Sequence, residues 1–117
     1  MKINVAVLKD AALDWAVAKC EGWNVSVDEF LRSQLANSKF AYSTVWAKGG
    51  PIIEREKITV ANLNEMEGWI AYIGAVERRD GLCGDASCYG PTPLIAAMRC
   101  YVASKLGDEI EIPEELK

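Results

Sequence analysis

Two stretches of the chain carry the residue types that can hold a small anion with a ring attached. In the first, Tyr42, Ser43, Thr44, Trp46, Lys48, Gly49 and Gly50 lie close together, just ahead of Pro51. They supply flat aromatic faces, hydroxyls, an ammonium, and a glycine pair that permits close backbone approach. Pro51 would then turn the chain toward an extended exit. The second stretch is Gly90-Pro91-Thr92-Pro93-Leu94-Ile95. Thr92 is an N-cap residue type, and Pro93 falls at the first helical position, where its missing N–H costs nothing. The N–H groups of Leu94 and Ile95 would then face an anion, helped by the helix dipole. Arg99 lies within two turns and either reaches that anion or pairs with Glu54; the ion pair is favoured, since its stem points toward the helix start. Trp46 would stack on a ring. Phosphate, ring and hydroxyls together describe a nucleotide-like ligand, with the loop 42–51 folded over the start of the helix. The plainer alternative is a packed turn on a capped helix with no ligand.

Other chemistry has less support. The chain has no histidine, which removes the commonest general base and metal ligand together. No carboxylate pair stands out, so acid–base work would fall to a lone Asp14, Glu54 or Asp85 with a shifted pKa. The four cysteines read as reduced thiols. Cys83 and Cys88 form a weak zinc signal without further ligands, and Cys20 and Cys100 read as small core residues. No catalytic residue, metal or cofactor is therefore assigned.

Composition sets the frame. The 117 residues, half of them hydrophobic and 26% charged, fit one soluble globular domain spanning 1–117. A net charge of −4 argues against non-specific nucleic-acid binding. No apolar run reaches membrane-spanning length, and the first residues lack a signal core, so a cytoplasmic protein is expected.

The elements that must position these residues follow from local pattern. A short edge strand is expected at residues 3–7, then a helix over 11–20 capped by Asp10 and closed by Gly22. Residues 23–27 alternate as an extended segment, and Asp28 would cap a helix over 29–36, ended by a turn at 37–39. Residues 52–60 read as strand, or as two short strands with a bend. Residues 69–73 form the strongest strand signal, between Gly68 and Gly74. A charged loop at 76–88 follows. The last helix runs over 93–106 to a Gly107 cap, with Leu94, Met98, Tyr101, Val102 and Leu106 as its apolar stripe. A short strand at 108–113 and a frayed acidic end close the chain. The expected class is α+β: a small antiparallel sheet with helices packed on one face.

Three separated motifs, Leu13-Asp14-Trp15-Ala16-Val17-Ala18-Lys19-Cys20-Glu21-Gly22, Trp46-Ala47-x-Gly49-Gly50-Pro51-Ile52-Ile53-Glu54 and Gly90-Pro91-Thr92-Pro93-Leu94-Ile95-Ala96-Ala97-Met98-Arg99, resemble the NinX-like family of small proteins from tailed phages and prophages. The likeness continues through 102–108 to the Pro113-Glu114-Glu115 end. It implies a phage accessory product in the bacterial cytoplasm and no established activity. Within that context the chemistry above favours a non-enzymatic binder of a small nucleotide-like ligand. By analogy with small phage proteins that sequester nucleotide signals, the ligand would be a host defence signal. The alternative is a protein-interaction module acting on a host protein, motivated by the four tryptophans and the acidic balance. The same surplus of tryptophan points to a homodimer.

Overall fold

A computed structural model describes residues 2–62, 68–73 and 86–116. Strand β1 (Lys2–Asn4) passes through one 3-10 turn into helix α1 (Asp10–Cys20); α2 (Val27–Asn37) and α3 (Trp46–Glu56) follow. Then come β2 (Ile58–Asn62), β3 (Trp69–Ile73), β4 (Ala86–Gly90), α4 (Pro93–Leu106), β5 (Glu109–Glu111) and a closing 3-10 turn, Glu114–Leu116. The expected α+β class holds. Its strands form two antiparallel sheets: β2-β3-β4, and the pair β1-β5 with Ile3 opposite Ile110.

Helix α4 is the centre of the molecule. Thr92 caps it, its Oγ1 accepting the Ile95 N–H at 3.1 Å, and Pro93 opens it as expected. Leu94, Ala96, Ala97, Met98, Cys100, Tyr101 and Val102 are all buried, a wider set than one stripe. A helix apolar nearly all round is surrounded by its fold. Sheet β2-β3-β4 packs on α4, with buried Ala71 opposite buried Cys88. The approach of β4 to α4 depends on Gly90: a Cβ there would stand 2.6 Å from the Ala96 backbone nitrogen. Leu106, expected in the stripe, is instead exposed at the helix end, where Gly107 takes φ +91°.

Helix α1 is equally enclosed, with every residue from Ala12 to Ala18 buried, and it packs on α4. It begins at Asp10 itself, and no side chain caps it. Gly22, at φ +89°, follows its end as expected. Trp15 is core, edge-on to Phe30 with ring centres 5.4 Å apart. Phe30 stacks on Phe40 at 5.2 Å, and Trp23 meets Phe40 edge-on at 5.4 Å. This aromatic cluster, unforeseen in the sequence, clamps α2 and residues 40–42 against α1.

Several local expectations are corrected. Residues 5–7 turn instead of continuing the strand. Helix α2 starts at Val27, capped by the Ser26 hydroxyl on Glu29 N and not by Asp28, so only a short irregular link remains before it. The largest change is α3: residues 46–56, expected as loop and then strand, form one helix containing Pro51. Proline there forgoes the bond to the Ala47 carbonyl. Burial of Gly49 and Ile52 offsets that loss. Lys57 ends α3 in the left-handed region at φ +56°, and β2 begins at the next residue. Cys88 stands in β4 and not in a loop. The C-terminal end is anchored by buried Leu116. The expectations for Gly74, Cys83, Asp85 and the loop over residues 76–85 lie outside the described residues.

Candidate functional site

The starts of α3 and α4 open onto one hollow of about 210 Å³, lined by Ser43, Thr44, Trp46, Thr92, Leu94 and Ile95. All six residues were nominated from the sequence. They meet because α3 and α4 pack closely at Gly49, where a Cβ would lie 2.5 Å from Leu94 Cδ1 and 2.4 Å from the Tyr42 carbonyl oxygen. Gly49 therefore serves a close helix crossing. Neither it nor Gly50 has positive φ, so the expected flexible glycine turn is replaced by helix.

The electrostatics of the hollow come from backbone. Helix α3 has no side-chain cap, and neither α3 nor α4 carries an acid in its first turn. The positive ends of both dipoles therefore lie beside the same space, while the Lys48 N–H in the first turn of α3 already donates to the Val45 carbonyl at 2.9 Å. No carboxylate lines the hollow. The Ile95 N–H is already taken by Thr92 Oγ1, a correction to its expected role; the Leu94 N–H is the donor this cap does not use.

Ser43 lines the hollow and is 2% exposed, yet its Oγ has no hydrogen-bond partner. Behind it lies Asp14, 4% exposed. Asp14 Oδ1 accepts the Ser43 N–H at 2.9 Å and Oδ2 accepts the Gln34 side-chain amide at 3.1 Å. Gln34 Oε1 in turn accepts the Phe40 N–H at 3.0 Å. Burial pushes the Asp14 pKa up, against the lowering pull of Ser43 and Gln34. The Ser43 hydroxyl contributes to that pull, so it lies beside the Asp14 carboxylate, and its Oγ is closed to solvent.

The remaining nominated residues do other work. Tyr42 is buried, and its hydroxyl accepts the Trp23 indole N–H at 3.1 Å; it offers no face to a ligand. Lys48 and Gly50 lie on α3 away from the hollow, Lys48 in solvent. Arg99 does not pair with Glu54: its Nε donates to the Leu8 carbonyl at 2.7 Å and Nη1 to the Tyr89 carbonyl at 2.8 Å. It ties the end of β4 and the N-terminal turn to α4. Trp46 is 55% exposed beside the hollow, far from the buried setting of Trp15, and Trp69 is half-buried in β3.

A polar cluster fixes the far end of α3. Arg55 Nη2 donates to Glu21 Oε2 at 2.6 Å, and Tyr101 Oη donates to the same oxygen at 2.6 Å. Arg55 Nε also reaches Glu56, which meets Lys105 at 3.5 Å. The Arg55 hydrogen bonds hold Glu21 and Glu56 below the usual carboxylate range, so neither acts as a proton donor at neutral pH. The thiols of Cys20 and Cys100 are pushed by burial up to about 12 and are inert.

The chain is a small α+β fold with an open hollow between the starts of α3 and α4. Residues 4–105 match a family model described as Bacteriophage P22, NinX, and the chain belongs to that bacteriophage family. No curated protein matches it. Among the described residues no helix is long and apolar enough to cross a membrane, and no group of three metal-ligating side chains forms.

Proposed function

We propose that this phage protein binds a small nucleotide-like anion in the hollow between α3 and α4, without chemical turnover. The reading rests chiefly on the hollow where the starts of α3 and α4 meet, lined by Thr44, Trp46 and Thr92 and by no carboxylate. An anion there would meet the exposed Thr44 and Thr92 hydroxyls and the positive ends of the two helices. Exposed Trp46 at the rim offers a stacking face for a ring. Sequestration of a nucleotide signal made by the host is the role that such binding would serve in a phage.

The test is a thermal-shift screen of nucleotides on the intact protein, with hits measured by calorimetry. Trp46→Ala should weaken a hit by about 1–3 kcal/mol, the size of a base–aromatic stack. Thr92→Ala should weaken it as well, because the α4 start loses its cap. Hits indifferent to both substitutions would put the site elsewhere. Absence of any hit, together with stable capture of a defined host protein through Trp46 and Tyr89, both exposed, would favour the interaction-module reading.

A further inference from the structure

The two large apolar side chains most exposed among the described residues are Leu35, at 89%, and Val7, at 64%. Val7 and Leu31 line a cleft of about 420 Å³, twice the volume of the hollow between α3 and α4. Buried Leu8, Ala12 and Leu116 form its floor, and Lys9, Asp10 and Glu115, all exposed, complete its border. Leu35 lies one turn beyond Leu31 on α2, and residues four apart share a helix face. The apolar side of α2 therefore passes from buried Phe30 through half-buried Leu31 to Leu35 in solvent. A projecting leucine and an apolar cleft stand side by side.

Single apolar residues scattered on a surface need no explanation, but a contiguous apolar patch rimmed by charge marks an interaction surface. The occupant follows from the patch being complementary to itself. A two-fold dimer joins the same patch on both subunits, so each must offer what the other accepts. Here the knob, Leu35, stands beside the hole. The border of the cleft likewise carries both signs of charge, Lys9 against Asp10 and Glu115. A foreign partner would require only one member of each pair. We propose that Leu35, Val7 and this cleft join two copies of the chain about a two-fold axis, the Leu35 of each copy entering the cleft of the other. The apolar floor becomes the interface core and the charged border its rim, with Lys9 of one copy facing an acid of the other. No tryptophan lines the cleft, so the homodimer expected from the tryptophan content would form through other residues. The six residues that line the hollow between α3 and α4 take no part in it.

Light scattering and sedimentation velocity on the full chain at micromolar concentration test the proposal. The wild-type protein should have the mass of a dimer. Leu35→Glu sets a carboxylate against the apolar cleft twice per dimer, and should weaken association by about a hundredfold or more. Leu35 is in solvent in the single chain, so this variant should keep the wild-type circular-dichroism spectrum. Val7→Glu, at a second exposed position, should likewise give a folded monomer. Trp46→Ala should dimerise as the wild type does. A monomeric wild type overturns the proposal, and one that also binds the apolar dye anilinonaphthalene sulfonate, with binding lost in Leu35→Glu, would give the cleft to a small apolar ligand instead. A dimer that survives both Leu35→Glu and Val7→Glu, or that is lost in Trp46→Ala, overturns it too, because the interface then lies elsewhere.

Discussion

The Asp14 carboxylate and the Ser43 backbone N–H, 29 residues apart in sequence, join at 2.9 Å inside the fold. Through this bond α1 holds the segment that leads into α3, and so sets one wall of the hollow. The partner on the other oxygen, Gln34, brings α2 into the same arrangement. A buried carboxylate is costly unless its oxygens are satisfied, and here each oxygen has an N–H donor.

Asp14→Asn tests that arrangement directly. The asparagine amide would turn a donor toward either the Ser43 N–H or the Gln34 amide. Gln34 cannot rotate to compensate, because its oxygen is held by the Phe40 N–H at 3.0 Å. One buried donor is left facing another, at a cost of about 1–3 kcal/mol. Urea denaturation at neutral pH should show a lower midpoint with an unchanged slope. A variant as stable as wild type would mean that the carboxylate is not needed as a double acceptor.

The same residue sets a pH signature. Its folded pKa is raised above 3.8, so the folded state holds the proton more tightly than the unfolded state. That contribution to stability is full below the unfolded value and is lost as pH rises through the folded one. Glu21 has the opposite sign: its lowered pKa contributes stability above 4.5 that is lost on acidification. Asp14→Asn deletes only the first contribution. The stability gap between wild type and Asp14→Asn should therefore narrow as pH rises from the unfolded Asp14 value toward neutrality. A gap that widens over that range would reverse the sign assigned to Asp14.

The glycine pair in α3 gives a contrast in adjacent positions. A Cβ at Gly49 would lie 2.4 Å from a backbone oxygen that cannot move aside. A Cβ at Gly50 would meet only Trp46 Cε3 at 3.8 Å, an ordinary contact. Alanine in place of a helical glycine gains up to about 1 kcal/mol of intrinsic propensity at either site. At Gly49, overpacking, which typically costs about 1–3 kcal/mol, outweighs that gain. Thermal unfolding should show Gly49→Ala lowered and Gly50→Ala equal or raised. Equal behaviour of the two variants would contradict the close crossing of α3 and α4.

That contrast also shows where sequence reading reaches its limit. Thr92, Pro93 and Gly107 delimit α4 because caps and breakers act locally, and the structure places them as expected. Trp69 to Ile73 form a strand for the same reason. Around α3 the local signals point the other way, since Gly49-Gly50-Pro51 reads as a turn. Packing of Gly49 under Leu94 and burial of Ile52 override them, and neither contact is visible in the order of residues. All six residues lining the hollow were nonetheless legible, because hydroxyl-rich and capping residues border it in both stretches. The Asp14 network was not, although one acid among the buried residues from Ala12 to Ala18 is the signal that could have revealed it.

Ser43→Ala tests what the buried hydroxyl does for the fold. A buried hydroxyl without a partner destabilises the unliganded fold, and the Ser43 backbone N–H, which holds Asp14, survives the substitution. Alanine should therefore leave the free protein as stable as wild type or more stable, by up to about 1–2 kcal/mol. Denaturant melts of both proteins without ligand decide the point. A clear loss of stability in Ser43→Ala would show that the hydroxyl is already engaged with the Asp14 carboxylate, whose pKa it helps to lower.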